Sequence, residues 1–268
     1  MRTDIAVTAH VAHRTAFPFS IRAGAALLAT LAGFSTPGIF CDPPASAAGN
    51  LAGMTVVLDP GHNGVADSSI SRPVPNGRGG TKACNTSGTA TNDGYAEHSL
   101  TWDVALHIRD SLEQQGVHTV MTRDSDNGVG PCVDQRAAVA NAAKPDAIIS
   151  IHADGGPPSG HGFHVNYSSP PLTDVQAGPT VQLATTMRDV LVASGLQESN
   201  YIGSQGLYGR ADLAGLNLAQ FPAILVELGN MKNAADAAQI ESPDGRAKYA
   251  KAVTDGITTY LNTKASAH

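Results

Sequence analysis

Met54-Thr55-Val56-Val57-Leu58-Asp59-Pro60-Gly61-His62-Asn63 is the stretch that decides the fold. Its first half is a short run of branched apolar residues, the composition of a buried strand. Pro60-Gly61 ends that strand in a tight turn, so a histidine arrives at the strand's end. The pattern recurs twice. Ala147-Ile148-Ile149-Ser150-Ile151 reads as a buried central strand running into His152-Ala153-Asp154, and Ala223-Ile224-Leu225-Val226 reads as another running into Glu227-Leu228-Gly229-Asn230.

Working outward, residues 63–96 are rich in Gly, Ser, Thr, Asn and Pro with little periodicity, which predicts a long loop. Loops of that length are uncommon unless they serve a function or are disordered. Glu97 then opens a helical pattern to residue 115, with Leu100, Val104, Ile108 and Leu112 on one side and Gly116 as its stop. Residues 117–122 predict a strand, 134–143 a short helix, 162–167 a strand nearer an edge, 180–194 a helix, and 246–261 a closing helix. Strands and helices alternate with no repeat and no linker. The predicted fold is α/β, a single domain with a largely parallel sheet.

Composition narrows the classes. Hydrophobic residues make up 42% of the 268 and charged residues 15%, enough apolar content for a packed core. The formal net charge is −6 with no basic stripe, which argues against nucleic acid as a partner. Acidity also gives no attraction towards anionic polymers in general, so recognition of such a partner must come from a shaped site.

The N-terminus reads as an export signal over residues 1–48, leaving 49–268 as the folded domain. Arg2, Arg14 and Arg22 precede an apolar stretch over residues 23–34, Thr36-Pro37-Gly38 breaks it, and Ala45-Ser46-Ala47 offers a cleavage site. An uncleaved short anchor is the alternative. No apolar run in the mature chain approaches the roughly 20 residues that span a bilayer. Cys41 would leave with the signal, and Cys84 and Cys132 would pair in an oxidising compartment. The competing reading, a zinc-binding cysteine pair, lacks a second such pair or a nearby histidine to complete it.

Sites in open α/β sheets form at the carboxyl ends of strands. His62, His152 and Glu227 would all reach one rim there, and Glu97 opens the helix after the long loop. Hydrolytic zinc takes three His or Glu ligands and keeps a fourth position for water, and a nearby carboxylate can take that water's proton. On this basis His62, His152 and Glu97 are the candidate ligands and Glu227 the candidate base. Each has a plainer reading too: a histidine at a strand end is commonly structural, and a glutamate at a helix start favours the helix dipole. His98 adjoins Glu97 as a rival third ligand. Asp59 and Asp154 could orient a ligand imidazole or cap turns. Arg210, in Tyr208-Gly209-Arg210, could hold a substrate carboxylate or support an oxyanion.

The segments Val56-Val57-Leu58-Asp59-Pro60-Gly61-His62-Asn63-Gly64, Ser150-Ile151-His152-Ala153-Asp154 and Pro222-Ala223-Ile224-Leu225-Val226-Glu227-Leu228-Gly229-Asn230-Met231-Lys232-Asn233, with the helix that Glu97 opens, resemble the zinc-dependent N-acetylmuramoyl-L-alanine amidases, in particular their single-domain mycobacterial type. The likeness runs over residues 52–261. It implies a mixed, mainly parallel sheet flanked by helices, one Zn2+ on His62, Glu97 and His152, and Glu227 as catalytic base and acid. It also implies a peptidoglycan or muropeptide substrate, a monomer, and work in the periplasmic or cell-wall space. The 63–96 loop departs from the family pattern by placing Glu97 farther from His62 than usual. A Cys84–Cys132 disulfide would tie that loop to the one before the 134–143 helix.

Overall fold

The computed structural model describes residues 50–266. The expected signal segment, with Cys41 and the Ala45-Ser46-Ala47 site, lies outside them. In chain order the elements are β1 (Thr55–Pro60), β2 (Pro73–Pro75), β3 (Thr81–Ala83), α1 (Glu97–Glu113), β4 (His118–Met121), α2 (Val133–Ala142), β5 (Ala147–Asp154) and β6 (His164–Ser168). They continue with α3 (Asp174–Ala177), α4 (Pro179–Ala193), β7 (Leu207–Arg210), α5 (Ala214–Asn217), β8 (Ala223–Asn230), α6 (Ala234–Glu241) and α7 (Pro243–Ala265).

Six strands form one sheet in the order β4-β1-β5-β8-β6-β7. β4, β1, β5 and β8 pair in parallel, β6 runs antiparallel to β8, and β7 is parallel to β6. The sheet is therefore mixed and mainly parallel, as the alternation of elements predicts. Side chains alternate between faces along each strand. Val56, Leu58, Ile149, Ile151, Ile224 and Val226 join one core with α1, α4 and α7; Val57, Ile148, Ala223 and Leu225 join a smaller one with α2 and α5. On α1, Leu100, Val104, Ile108 and Leu112 are fully buried, and each such side chain stabilises the fold by about 1.5–3 kcal/mol relative to exposure.

Some elements escape the sequence pattern. α7 begins three residues before Arg246, because the Ser242 side chain accepts the Gly245 N–H and Pro243 fits the first turn. β7, α3, α5 and α6 are too short to show a period. The 63–96 segment is not one irregular loop: it contains a 3-10 turn at Ser68–Ser71 and the β2–β3 antiparallel pair. Cys84 and Cys132 are disulfide-bonded, and Val133 N donates to the Cys84 carbonyl at 2.8 Å. From the β2–β3 turn, Arg78 reaches Asn217 Oδ1 (3.1 Å), Ser168 Oγ (3.0 Å) and the Pro170 carbonyl (2.6 Å). Such side-chain anchoring leaves no periodic trace.

Candidate metal centre

The chain passes from β1 to β4 on one side and then to β5 on the other, so strand order reverses about β1. The crevice at the carboxyl ends of β1 and β5 is the place where such sheets hold ligands. His62 enters it from the turn after β1 and His152 from β5, while Glu97 enters from the first residue of α1. Two glycines make the approach possible. A Cβ on Gly61 would fall on the His152 ring, and one on Gly88 (φ 76°) would stand 2.9 Å from both Glu97 Oε2 and the His62 ring.

Glu97 Oε1 lies 2.9 Å from His62 Nε2 and 2.9 Å from His152 Nδ1, and the two imidazoles meet edge to face at 4.8 Å between centroids. One potential ligand atom from each residue lies within 4.8 Å of the others. His62 Nδ1 is 2.9 Å from the Thr86 carbonyl, to which it can only donate, so the proton sits there and Nε2 faces Glu97. Thr89 N donates to Glu97 Oε2 (2.9 Å) and Ala153 N to Oε1 (3.2 Å). The 63–96 segment thus orients two of the three side chains through its backbone, which no residue type could announce.

Electrostatics tie the three together. Burial would raise the Glu97 pKa, but hydrogen bonds from His152 and His62 hold it far below the ordinary carboxylate range. For His62, burial disfavours the cation, yet the hydrogen bond and charge of Glu97 outweigh it and raise the pKa. Burial dominates at His152 and lowers it. A buried carboxylate between two imidazoles is a donor set suited to a divalent cation.

Glu227 is the strand partner of His152 across β5 and β8, which places the fourth predicted residue on the same rim. Burial first, then repulsion from Glu97 and Asp154, raises its pKa well above the ordinary value, while Arg210 pulls it down. Its Oε2 is buried without a partner among the described residues. Opposite it on β6 stands His164, 1% exposed and packed edge-on to Tyr201 and Tyr208 at 6.3 and 6.2 Å; burial pushes its pKa down to about 4, so the ring is neutral.

The lesser candidates sort themselves. His98 turns away, with Nδ1 2.9 Å from Asp126 Oδ1, leaving Glu97 as the residue that faces the histidines. Asp59 orients no imidazole: it binds Arg136, Thr122 and Ser150, which overcome the upward push of burial and lower its pKa to about 2. Asp154 instead accepts from the Tyr201 hydroxyl at 3.0 Å. Arg210 donates twice to Asp212, lies over the Tyr208 ring at 5.3 Å, and interacts electrostatically with Glu227. Asn233 caps α6, and Asn230 ties the end of β8 to the Pro157 and Gly160 carbonyls.

Known proteins resemble this chain over most of its length. Residues 56–259 match the family model described as N-acetylmuramoyl-L-alanine amidase. An N-acetylmuramoyl-L-alanine amidase of Mycobacterium tuberculosis is 62% identical over 218 residues, covering 81% of this chain and 90% of that protein. The crystal structure of the amidase Ami1 from Mycobacterium smegmatis superposes with a TM-score of 0.79 at 62% identity, over 80% of this chain and 99% of that one. Apo Ami1 from Mycobacterium abscessus gives 0.78 at 64% identity, over 78% and 99%. A match spanning the whole sheet, with identity of this order over four-fifths of the chain, establishes that this protein belongs to the N-acetylmuramoyl-L-alanine amidase family.

Proposed function

We propose that the protein is an exported peptidoglycan hydrolase that cuts the amide between N-acetylmuramic acid and the L-alanine of the stem peptide. The observation that supports it most is the convergence of His62 Nε2, His152 Nδ1 and Glu97 Oε1 beside Glu227. Two imidazole nitrogens and one carboxylate oxygen fit zinc, and three protein ligands leave a position open. His62, Glu97 and His152 would hold one Zn2+, which when bound supplies a Lewis acid and lowers the pKa of water.

The remaining steps belong to the chain's own groups. Glu227 takes the proton of the attacking water and returns it to the leaving nitrogen of L-alanine, which departs as a neutral amine. Its raised pKa suits a carboxyl that must hold a proton between those events. The Thr86 carbonyl keeps the His62 lone pair aimed at the metal position. For Arg210 the proposed role is to hold a substrate carboxylate or support the developing oxyanion, once its guanidinium leaves Asp212. Residues 1–48 would be removed as a signal on the way to the periplasmic or cell-wall space. The Cys84–Cys132 disulfide supports that destination. The expected active species is a monomer that needs no nucleic acid, and no helix among the described residues is long and apolar enough to cross a membrane.

Mass spectrometry of digested muropeptides tests the reading. The amidase releases intact stem peptides with a free alanine amine and leaves whole glycan strands. Cleavage within the peptide would make it a zinc peptidase, and binding without any product would make it a wall-binding scaffold. One zinc per chain should be measured, and chelation should inactivate reversibly.

A further inference from the structure

His62 has φ 63°, a left-handed conformation that residues other than glycine seldom adopt. The backbone around it is gripped by a side chain from α2. Arg136, 4% exposed, donates from Nη1 to Asp59 Oδ1 (2.7 Å) and the Pro60 carbonyl (2.7 Å). Its Nη2 donates to the His62 carbonyl and to Asn63 Oδ1 (2.7 Å), and its Nε to the Pro131 carbonyl (3.1 Å). One planar group therefore reaches both ends of the turn that presents the histidine.

We propose that Arg136, anchored by Asp59, is a positioning residue for His62, fixing the turn so that the imidazole meets Glu97 and His152 without rearranging. The proposal rests on reading those three residues as a metal site. Asp59 is itself held against swinging away with the guanidinium, because Thr122 Oγ1 donates to its Oδ1 (2.6 Å) and Ser150 Oγ to its Oδ2 (2.7 Å). The Thr86 carbonyl sets the rotation of the ring, and Arg136 sets where the ring's backbone stands. Only a rigid fork of donors spans those acceptors; a lysine ammonium is a point charge and reaches one edge. Neither Arg136 nor Asp59 needs to touch substrate.

The test is zinc affinity, read by competition with a chromophoric chelator on the folded protein in the absence of substrate. Arg136→Lys should weaken zinc binding about 10- to 100-fold, the range seen when an outer partner of a metal ligand is lost. Arg246→Lys is the control: it disturbs the ion pair to Asp103 between α7 and α1, away from the turn, and should lower thermal stability with zinc affinity unchanged. If Arg136→Lys does not fold, Asn63→Ala removes one Nη2 acceptor while keeping the ion pair, and should weaken zinc in the same direction. Wild-type affinity in Arg136→Lys, or in Asn63→Ala when the lysine variant is unfolded, overturns the proposal and leaves the metal reading standing. Failure of the wild-type chain to bind zinc overturns both.

Discussion

The two faces of the sheet are built on different principles. The face under α1, α4 and α7 is apolar from end to end: Leu58, Ile149, Ile151 and Val226 lie fully buried against Leu100, Ile108, Leu183 and Val253. The other face is covered by short helices and the β2–β3 segment, and its carboxyl end carries Asp59, Ser150, His152 and Glu227. There, buried polar groups replace hydrocarbon: Asp59, Ser150 and His152 are held by specific partners, while Glu227 Oε2 has none among the described residues. Hydrophobic packing sums over area and tolerates some adjustment; a polar network depends on individual distances. One face supplies stability, and the other converts some of it into geometry.

Four substitutions or conditions test that division. The largest effect belongs to Glu227→Gln, which should cost about 10²- to 10⁴-fold in turnover by removing the proton carrier. Zinc content and thermal midpoint should stay as in the wild type; loss of zinc would move Glu227 into the ligand set. Ile108→Ala, on the apolar face, should destabilise by about 2–5 kcal/mol in denaturant melts. Turnover of the molecules still folded at low temperature should not change, and a large fall in kcat would end the separation of the faces.

Next comes the disulfide. Cys84→Ser with Cys132→Ser should lower stability by about 2–4 kcal/mol. Since Thr86 lies two residues from Cys84, the same variant should also release zinc more readily to a chelator. Unchanged zinc retention would show that the loop needs no staple to hold His62. The smallest effect is one of pH. The Asp59 pKa is held at about 2, below its unfolded value, so its stabilisation is complete above about pH 4 and is lost as pH falls through 2. That contribution is about 2 kcal/mol. Acid melts between pH 4 and 2 should show it, and Asp59→Asn should flatten that part of the curve.

Much of this was legible in the residue order. Buried strands announce themselves by unbroken apolar runs, and His62, His152 and Glu227 stand conspicuous where such runs end. The α1 stripe of Leu100, Val104, Ile108 and Leu112 sits on its helix as the spacing requires. Arg136 gave no signal, because an arginine in a short alanine-rich helix looks like any solvated residue until its partners are known. His164 lies in the strand expected nearer an edge over residues 162–167, but its place opposite Glu227 depends on an antiparallel pairing that no local pattern encodes. Thr86 acts through its carbonyl, which every residue has.

The sequence by itself determined the class of fold, the elements of the apolar face and the four side chains at the rim, since periodicity and strand-end placement are local properties. Tertiary structure alone decided the sheet order, the grip of Arg136 on the β1 turn and the path of the 63–96 segment over the ligands. Those depend on contacts between residues far apart in the chain, whose free energy exists only once the intervening loops have closed.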